Sequence, residues 1–206
     1  MPTLFDHIAV AAETLHDGAA AVEAALGVPL DPGGAHALMG THNRLLALGP
    51  GAYLEVIAID PAAAAPAHPR WFDLDRFAGP ARPQCWIARA DDLDRALAVA
   101  PPGTGRPLEF ARGDLRWRMA VPEDGRLPFD NRFPALIEWQ GTGHAADRLP
   151  PRGCALERLV LIHPDAPALR AALGALMADA RIVIEPGETP GMVAEIATPH
   201  GVRRLE

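Results

Sequence analysis

Two glutamates occupy positions where a carboxylate is unusual, within apolar stretches of the chain. Glu55 occurs in YLEVIAI and Glu138 in ALIEWQ. Because successive side chains of a strand point to opposite faces, each glutamate faces away from its apolar neighbours. A carboxylate directed into the interior of a barrel needs a partner, since burying it unpaired is costly. We therefore expect each glutamate to have a partner in the interior, for which an arginine such as Arg118 or Arg44 is a candidate.

Polar side chains are also concentrated in the stretch GGAHALMGTHN, which contains His36, His42 and Asn43. Their position beside an apolar strand favours contact with a substrate, although a turn with hydrogen-bonding caps would also use these residue types. His7, in FDHIAVAA, has two interpretations, a core histidine or a functional group. Trp117 and Trp139 are core residues or aromatic walls of a pocket. The remaining turn-like histidines are expected at the surface: His68, His144, His163 and His200.

The composition argues against several kinds of chemistry. The chain has 206 residues, 19 basic residues that are all arginine, and a formal net charge of −7. Without lysine there is no Schiff-base or lysine-base catalysis, and the acidity argues against nucleic acid as a partner. Cys85 and Cys154 form no metal-type pair, and Cys85 is expected to be inert core. Glycines occur without the context of a phosphate loop, a dinucleotide fingerprint or a nucleophile elbow.

The location of the protein is predicted from what its ends and apolar runs contain. MPTLFDHIAV lacks the basic region and apolar stretch of a signal peptide. No apolar run approaches the roughly 20 residues that cross a bilayer. We therefore expect a cytoplasmic protein that has no membrane partner.

The first part of the chain contains the elements of one βαβββ module. LFDHIAVAA is typical of a strand. A helix is predicted over residues 14–26, with a capping-box-like start at Thr14 and an end at Gly27. Two further strands are predicted in HALMGTHNRLLALG and AYLEVIAID, and the turn-rich stretch 29–39 is expected to contain a short one.

The same order repeats after a proline-rich connector. QCWIARA predicts a strand, and Asp91 or Asp92 caps a helix predicted over 91–100. PLEFARG, LRWRMAVP and PALIEWQG complete the second module. Two copies of one order of elements indicate an internal duplication.

A third, degenerate segment follows a second Pro/Gly-rich joint. It contains LERLVLIHP, the helix ALRAALGALM, ARIVIEP and GMVAEIATPHGVRRL. We predict a two-module domain over residues 1–142 and a C-terminal module over 150–206. The apolar sheet face of the C-terminal module must be covered. We expect it to pack on the main domain or on a second chain, which makes a homodimer plausible.

Three blocks of the sequence resemble a known family. GGAHALMGTHNRLLALGPGAYLEVIAIDP, RGDLRWRMAVPEDGRLPF and LIEWQGTGH are similar to the glyoxalase-like domain family of the vicinal-oxygen-chelate superfamily. The superfamily includes glyoxalase I, extradiol dioxygenases, fosfomycin-resistance proteins and metal-free drug-binding proteins. The resemblance implies an α+β fold in which paired βαβββ modules form a cupped, barrel-like mixed sheet with helices outside.

The resemblance also implies a site. In related metalloenzymes each module offers one ligand from its first strand and one from its fourth, which corresponds here to His7, Glu55, Trp86 and Glu138. Tryptophan cannot be a ligand, so His7, Glu55 and Glu138 remain as the implied ligands of Zn, Mn, Ni or Fe. Glu55 and Glu138 are also the implied catalytic groups. The predicted substrate contacts are His36, His42, Asn43, Trp86, Trp117 and Arg118.

Two functions remain open at this point. One is a metal-dependent lyase, isomerase or dioxygenase acting on a small oxygenated metabolite. The other is a metal-free protein that binds or sequesters a small molecule in the same cavity, and Trp86 favours it. An interaction module is the least attractive alternative. The register predicts that His7 is equivalent to Trp86 and Glu55 to Glu138, so each pair must lie on the same face of the sheet.

Overall fold

The computed structural model describes residues 3–206. One sheet has eight strands: β1 Leu4–Ala11, β2 Asp31–His36, β3 Thr41–Ala47, β4 Tyr53–Ile59, β5 Arg82–Arg89, β6 Arg106–Arg112, β7 Leu115–Val121 and β8 Ala135–Gln140. A second sheet has four strands: β9 Ala155–His163, β10 Ile182–Pro186, β11 Gly191–Thr198 and β12 Gly201–Leu205. The helices are α1 Leu15–Leu26, α2 Leu93–Leu97, the single turn α3 Pro128–Asn131 and α4 Ala166–Leu176. Short 3₁₀ turns occur at Trp71–Arg76 and Ala145–Arg148.

The large sheet confirms the predicted duplication. Its strand order is β2-β3-β4-β1-β5-β8-β7-β6. β1 runs parallel to β4 and β5 parallel to β8, while β1 and β5 pair antiparallel. The two βαβββ modules therefore meet at their first strands. The sheet curls into a half-barrel with helices outside it, and its edge strands β2 and β6 come into contact. The α+β fold expected from the sequence is confirmed.

Local signals set the ends of the module helices. The Thr14 side chain accepts the Asp17 N–H, and Gly27 ends α1 at a left-handed φ of 72°. Asp92 caps α2 in the same way as Thr14 caps α1. α2 is shorter than the predicted 91–100, because its last turn loosens into 3₁₀-type bonds before Pro101, which disfavours a helical residue ahead of it.

The half-barrel has an outer and an inner face, each with its own apolar core. On the outer face Ile8, Leu54 and Trp86 pack with the helix residues Val22 and Leu93. The inner face carries a second cluster, which contains Ala9, Leu45, Ile57, Trp117 and Ile137. Because strand residues alternate between these two cores, the face of a side chain decides whether it can reach the cavity.

The C-terminal segment has the element order of a module but a different sheet. Its strand order is β10-β9-β11-β12, so the first strand pairs with the second and third rather than with the fourth. Its apolar residues, such as Leu159 and Ile196, belong to the same cluster as the outer core of the half-barrel. Arg152 also pairs with Asp31 of β2. No helix within residues 3–206 combines the length and apolar character needed to span a membrane.

Candidate functional site

The inner face of the half-barrel is chemically asymmetric. The first module supplies its polar side chains: His7, His36, Asn43, Tyr53 and Glu55. The second module supplies mainly apolar ones: Cys85, Ile87, Phe110, Trp117, Met119 and Ile137. Of the apolar set, Trp117, Met119 and Ile137 line one cavity together with the polar side chains, and Arg112 from β6 joins the polar half. A ligand in this cavity therefore meets hydrogen-bonding groups on one side and aromatic rings on the other.

A bulge in β1 turns the carboxylate of Asp6 into a buried hydrogen-bond acceptor. The register of β1 against β5 shifts between Phe5 and His7, so Asp6 is an extra residue in the strand. Its carboxylate lies 2.6 Å from His7 Nδ1, 2.9 Å from His144 Nε2 and 3.0 Å from Trp139 Nε1. Burial alone would raise the pKa of Asp6, but the bonds from His144 and His7 and the charges of these rings hold it well below its ordinary value.

Asp6 orients the imidazole of His7. An ionised carboxylate only accepts hydrogen bonds, so Nδ1 of His7 is the donor in the 2.6 Å contact. In the neutral ring, the lone pair is then on Nε2, which lies 3.5 Å from the Tyr53 hydroxyl and 3.6 Å from Glu55 Oε2. The Tyr53 ring stacks on the imidazole with centroids 4.2 Å apart. His7 thus presents a fixed nitrogen base toward the cavity.

Glu55 is a buried carboxyl group whose hydrogen-bonding capacity is only partly used. It is 5% exposed, and its Oε1 has no hydrogen-bond partner among the described residues. Burial raises the pKa of Glu55, while the neighbouring His7, Arg112 and Asn43 oppose that rise. The predicted alternative partner, Arg44, is exposed on the other face of β3. Because the pKa of Glu55 is raised, this carboxyl group keeps its proton to a higher pH than an ordinary glutamate does.

Glu55→Gln should remove a pH dependence of stability. A carboxyl group with a raised pKa keeps its proton longer in the folded chain, so folding becomes less favourable as pH rises from its ordinary pKa through the raised one. At pH values above the raised pKa we expect Glu55→Gln to be more stable than the wild type. Its free energy of unfolding should also no longer fall with rising pH in this range. Urea unfolding from pH 4 to pH 8 measures it, with the exposed Glu157→Gln as the control. An unchanged slope in Glu55→Gln would contradict this assignment.

His36, Asn43 and Arg112 form a polar corner where β2, β3 and β6 meet. Arg112 Nη1 lies 3.3 Å from both His36 Nε2 and Asn43 Oδ1. His36 Nδ1 lies 3.0 Å from Thr41 Oγ1. Burial, and then the positive charge of Arg112, lower the pKa of His36 to about 3. His36 is thus neutral and accepts a hydrogen bond from the guanidinium.

Aromatic side chains line one part of the cavity. Trp71 and Phe72 of the 3₁₀ segment Trp71–Arg76 stack on each other, and Trp71 also stacks on Phe110. Phe72 has a φ of 61°, a left-handed conformation that is costly for a bulky side chain and is often retained at functional sites. The cavity volume is about 20 Å³, about the space of one water molecule. A larger ligand therefore requires the lining rings to move.

Four of the predicted site residues lie on the outer face instead, His42 among them, and the predicted register is wrong. Glu138 accepts the Leu93 N–H at 2.8 Å and pairs with Arg118 at 3.3 Å. Arg118 also bonds Asp94 of α2. Trp86 is fully buried in the outer core, where its Nε1 donates to the Arg132 carbonyl at 2.9 Å. Glu138, Arg118 and Trp86 therefore support the helix side of the sheet and do not face the cavity.

The misalignment has a local cause. His7 precedes the α1 cap Thr14 by seven residues, and Cys85 precedes the α2 cap Asp92 by seven. When the two modules are aligned on these caps, His7 corresponds to Cys85. When they are aligned by matching Ile8 to Ile87, His7 corresponds to Trp86 instead. A register error of one residue reverses every side chain of a strand.

The fourth strands show the same equivalence. Ile57 O accepts the Ala12 N–H, and Ile137 O accepts the Ala90 N–H. Ile57 and Ile137 are therefore equivalent, and the counterpart of Glu55 is Ala135.

The donors on the inner face do not form the implied metal site. The second module offers Cys85 and Ala135 at the ligand positions, and burial raises the pKa of the Cys85 thiol, which disfavours the thiolate that binds metals. His7 and Glu55 remain, fewer than the three protein ligands of a typical catalytic zinc site. Within residues 3–206 no group of three His, Cys, Asp or Glu side chains has the arrangement to hold a metal ion.

The structure thus brings together His7, His36, Asn43, Glu55 and Trp117 of the predicted set. His42 alternates to the other face of β3, where its Nε2 lacks a partner among the described residues. Sequence reasoning missed Asp6, Tyr53, Trp71, Arg112 and His144. The carboxylate directly before His7 was an available signal for Asp6. His144, expected at the surface, is instead held against Asp6.

A family model and one solved structure agree with this architecture. The profile of the glyoxalase-like domain matches residues 5–177. A hypothetical protein from Staphylococcus aureus superposes with a TM-score of 0.62 at 12% identity, covering 92% of this chain and 88% of its own. Methylmalonyl-CoA epimerase from Streptomyces coelicolor has a TM-score of 0.45 at 16% identity, covering 68% of this chain and 100% of its own. The epimerase from Mycobacterium tuberculosis has a TM-score of 0.43 at 19% identity, covering 68% and 88%. None of the curated proteins matches the chain significantly.

Proposed function

Because the chain belongs to the glyoxalase-like domain family of the vicinal-oxygen-chelate superfamily, we propose that its inner cavity binds a small oxygenated metabolite. We further propose that side chains of this cavity catalyse a proton transfer on the bound metabolite without a metal. The observation that carries this proposal is the Asp6–His7–Glu55 arrangement. A carboxylate holds one nitrogen of the imidazole, and the other nitrogen faces a second carboxyl group at 3.6 Å in the inner cavity.

The arrangement provides both partners of general acid–base catalysis. His7 Nε2 takes a proton from a carbon next to a carbonyl, and the electron pair left behind moves onto the carbonyl oxygen. Protonated Glu55 donates a hydrogen bond to that oxygen. Return of the proton from His7 to the carbon completes an isomerisation or exchange. Groups held in place for proton transfer typically contribute about 10²–10⁴-fold to a rate.

Asp6 and Tyr53 act on this reaction through His7. Asp6 keeps the imidazole in the tautomer that has a basic Nε2 and stabilises the imidazolium that forms, the role of the carboxylate in catalytic triads. Tyr53 packs against the ring and limits its rotation. Both are positioning residues.

A metal-dependent lyase or dioxygenase, the other function implied by the resemblance, has less support. Such an ion would need a ligand from the second module beside His7 and Glu55. That module places Cys85 and Ala135 at the equivalent positions, and the guanidinium of Arg112 lies close enough to Glu55 to lower its pKa. A fixed positive charge beside the carboxyl group of Glu55 disfavours a divalent cation there.

Deuterium exchange tests the proposed chemistry. Pyruvate and the uncharged hydroxyacetone are incubated with protein in D₂O, and loss of the C–H signals next to the carbonyl is followed by proton NMR. We expect the exchange rate with wild-type protein to exceed the rate in buffer alone. His7→Gln should lower the protein-dependent part of this rate by about 10²-fold or more, and EDTA should leave the wild-type rate unchanged.

The matched control is His16→Gln, which changes an exposed histidine of α1 in the same way. It should exchange like the wild type. Exchange that matches buffer for both probes, or that disappears with EDTA, would contradict the proposal. Ligand binding without exchange would leave the metal-free binding protein as the function. The homodimer and the cytoplasmic location stay predictions.

A further inference from the structure

The cavity contains a positive charge that has no carboxylate within ion-pair distance among residues 3–206. Arg112 is half-buried and lines the cavity, yet it forms no ion pair with an Asp or Glu among residues 3–206. Three other partly buried guanidiniums, those of Arg118, Arg152 and Arg181, each pair with a carboxylate. Those of Arg82 and Arg132 donate to backbone carbonyls instead. A buried charge is normally paired.

The two partners of Arg112 are neutral and use only part of its bonding capacity. Nη1 contacts His36 Nε2 and Asn43 Oδ1. Within the described chain, Nε and Nη2 donate no hydrogen bond to a protein acceptor. A guanidinium offers five N–H donors in a planar fork that matches the two oxygens of a carboxylate.

Glycines in β2 make room for this guanidinium. A Cβ at Gly34 would lie 2.8 Å from Arg112 Cδ, and a Cβ at Gly33 would lie 2.0 Å from Asn43 Oδ1. Gly34 N also donates to Asn43 Oδ1 at 2.8 Å, which orients the amide so that its oxygen can accept from Arg112. The edge strand of the first module is thus shaped around an arginine of the second module.

Aromatic residues lie on the other side of the same corner. Trp71 and Trp117 both approach His36 edge-on, with centroids 5.0 and 6.2 Å away. The buried Trp71 Nε1 has no partner among the described residues, and Trp71 lines the same cavity as Arg112. Flat aromatic walls suit a small planar body.

We propose that Arg112 binds the carboxylate of a small organic acid in the inner cavity. This inference rests on the proposed function, because it names the class of substrate whose reactive carbon would reach His7. The carboxylate pairs with the free N–H groups of Arg112, and the remainder of the molecule lies between His7 and the rings of Trp71 and Trp117.

Isosteric pairs of ligands test the charge requirement. Acetate is compared with acetamide, and benzoate with benzamide, by NMR titration of the indole N–H signals of the four tryptophans. We expect each carboxylate to bind about tenfold or more tightly than its amide, since a hydrogen-bonded charge contributes at least this factor. Arg112→Leu should weaken carboxylate binding by a similar factor, and Arg112→Lys should restore part of it.

Arg116→Leu is the matched control, because Arg116 belongs to the same hairpin but is exposed on the outer face. It should leave the titration unchanged. If thermal melts show that Arg112→Leu is unfolded, Arg112→Lys and the comparison of carboxylates with amides still test whether Arg112 binds a carboxylate. Equal binding of acid and amide, no binding of either acid, or full affinity in folded Arg112→Leu would overturn the proposal.

The outcome is separable from that of the exchange experiment. Exchange of hydroxyacetone without a preference for carboxylates would refute the anion site and keep the proton transfer. Carboxylate binding without exchange would refute the proton transfer and keep the anion site.

Discussion

Trp86→Ala is expected to lower the free energy of unfolding by about 3–5 kcal/mol, as for other large aromatic residues truncated in a core. Trp86 is fully buried on the outer face and stacks with Phe5 at a centroid distance of 6.3 Å. Its Nε1 also donates to the Arg132 carbonyl, which the variant would leave unpaired. Urea unfolding followed by circular dichroism measures the loss.

This variant also tests the face assignment. In the folded state Trp86→Ala should bind carboxylates like the wild type, whereas Trp117→Ala, on the inner face, should weaken that binding. Val99→Ala, at a side chain that is 52% exposed, controls for truncation and should change stability by less than about 0.5 kcal/mol. A Trp86→Ala protein that kept its stability but lost ligand binding would place Trp86 in the cavity wall.

Asp6→Asn should cost about 3–5 kcal/mol of unfolding free energy, the range for breaking a buried charged network by removing one partner. Asp6 is 0% exposed and accepts from His7, His144 and Trp139. An amide replaces one acceptor oxygen with a donor, which then faces another N–H. Because the pKa of Asp6 is lowered in the fold, its contribution is present above the ordinary aspartate value and is lost as pH falls below it.

The difference between wild type and Asp6→Asn should therefore narrow as the pH falls below about 3.8. Thermal melts between pH 2.5 and pH 7 measure this, and the exposed Asp91→Asn provides the control. A pH-independent difference would refute the charged role of Asp6. The exchange assay adds a readout specific for positioning, because an imidazole in the wrong tautomer loses rate even in the folded protein.

The fold was predictable because its signals are local and repeated. Alternating apolar residues marked the strands, and the caps at Thr14 and Asp92 marked where each module helix begins. The duplicated order of elements then restricted the topology to paired modules. The third segment was predictable as a strand–helix–strand unit, but its strand order differs from that of a module, because order depends on long-range packing.

The site was predictable in part. His7, Glu55, His36 and Asn43 lie on one face. The family resemblance implied the first two and the polar stretch GGAHALMGTHN indicated the other two, so neither pair required a comparison of the two modules. The prediction that Glu138 belongs to the site was wrong because it depended on the register between the two modules. An error of one residue in that register assigns a side chain to the opposite face of the sheet. The two helix caps contained the information that would have corrected it.

What the sequence by itself determined is the set of elements, their duplication and the polar content of the first module. Only the tertiary structure decided which groups act together. The bulge that directs Asp6 to His7 is a property of the β1–β5 pairing. Arg112 reaches Asn43, 69 residues away in the chain, because the curled sheet brings β6 against the first module at β2. Such contacts depend on how the whole sheet bends and closes, and residues so far apart leave no periodicity or spacing from which their contact can be read.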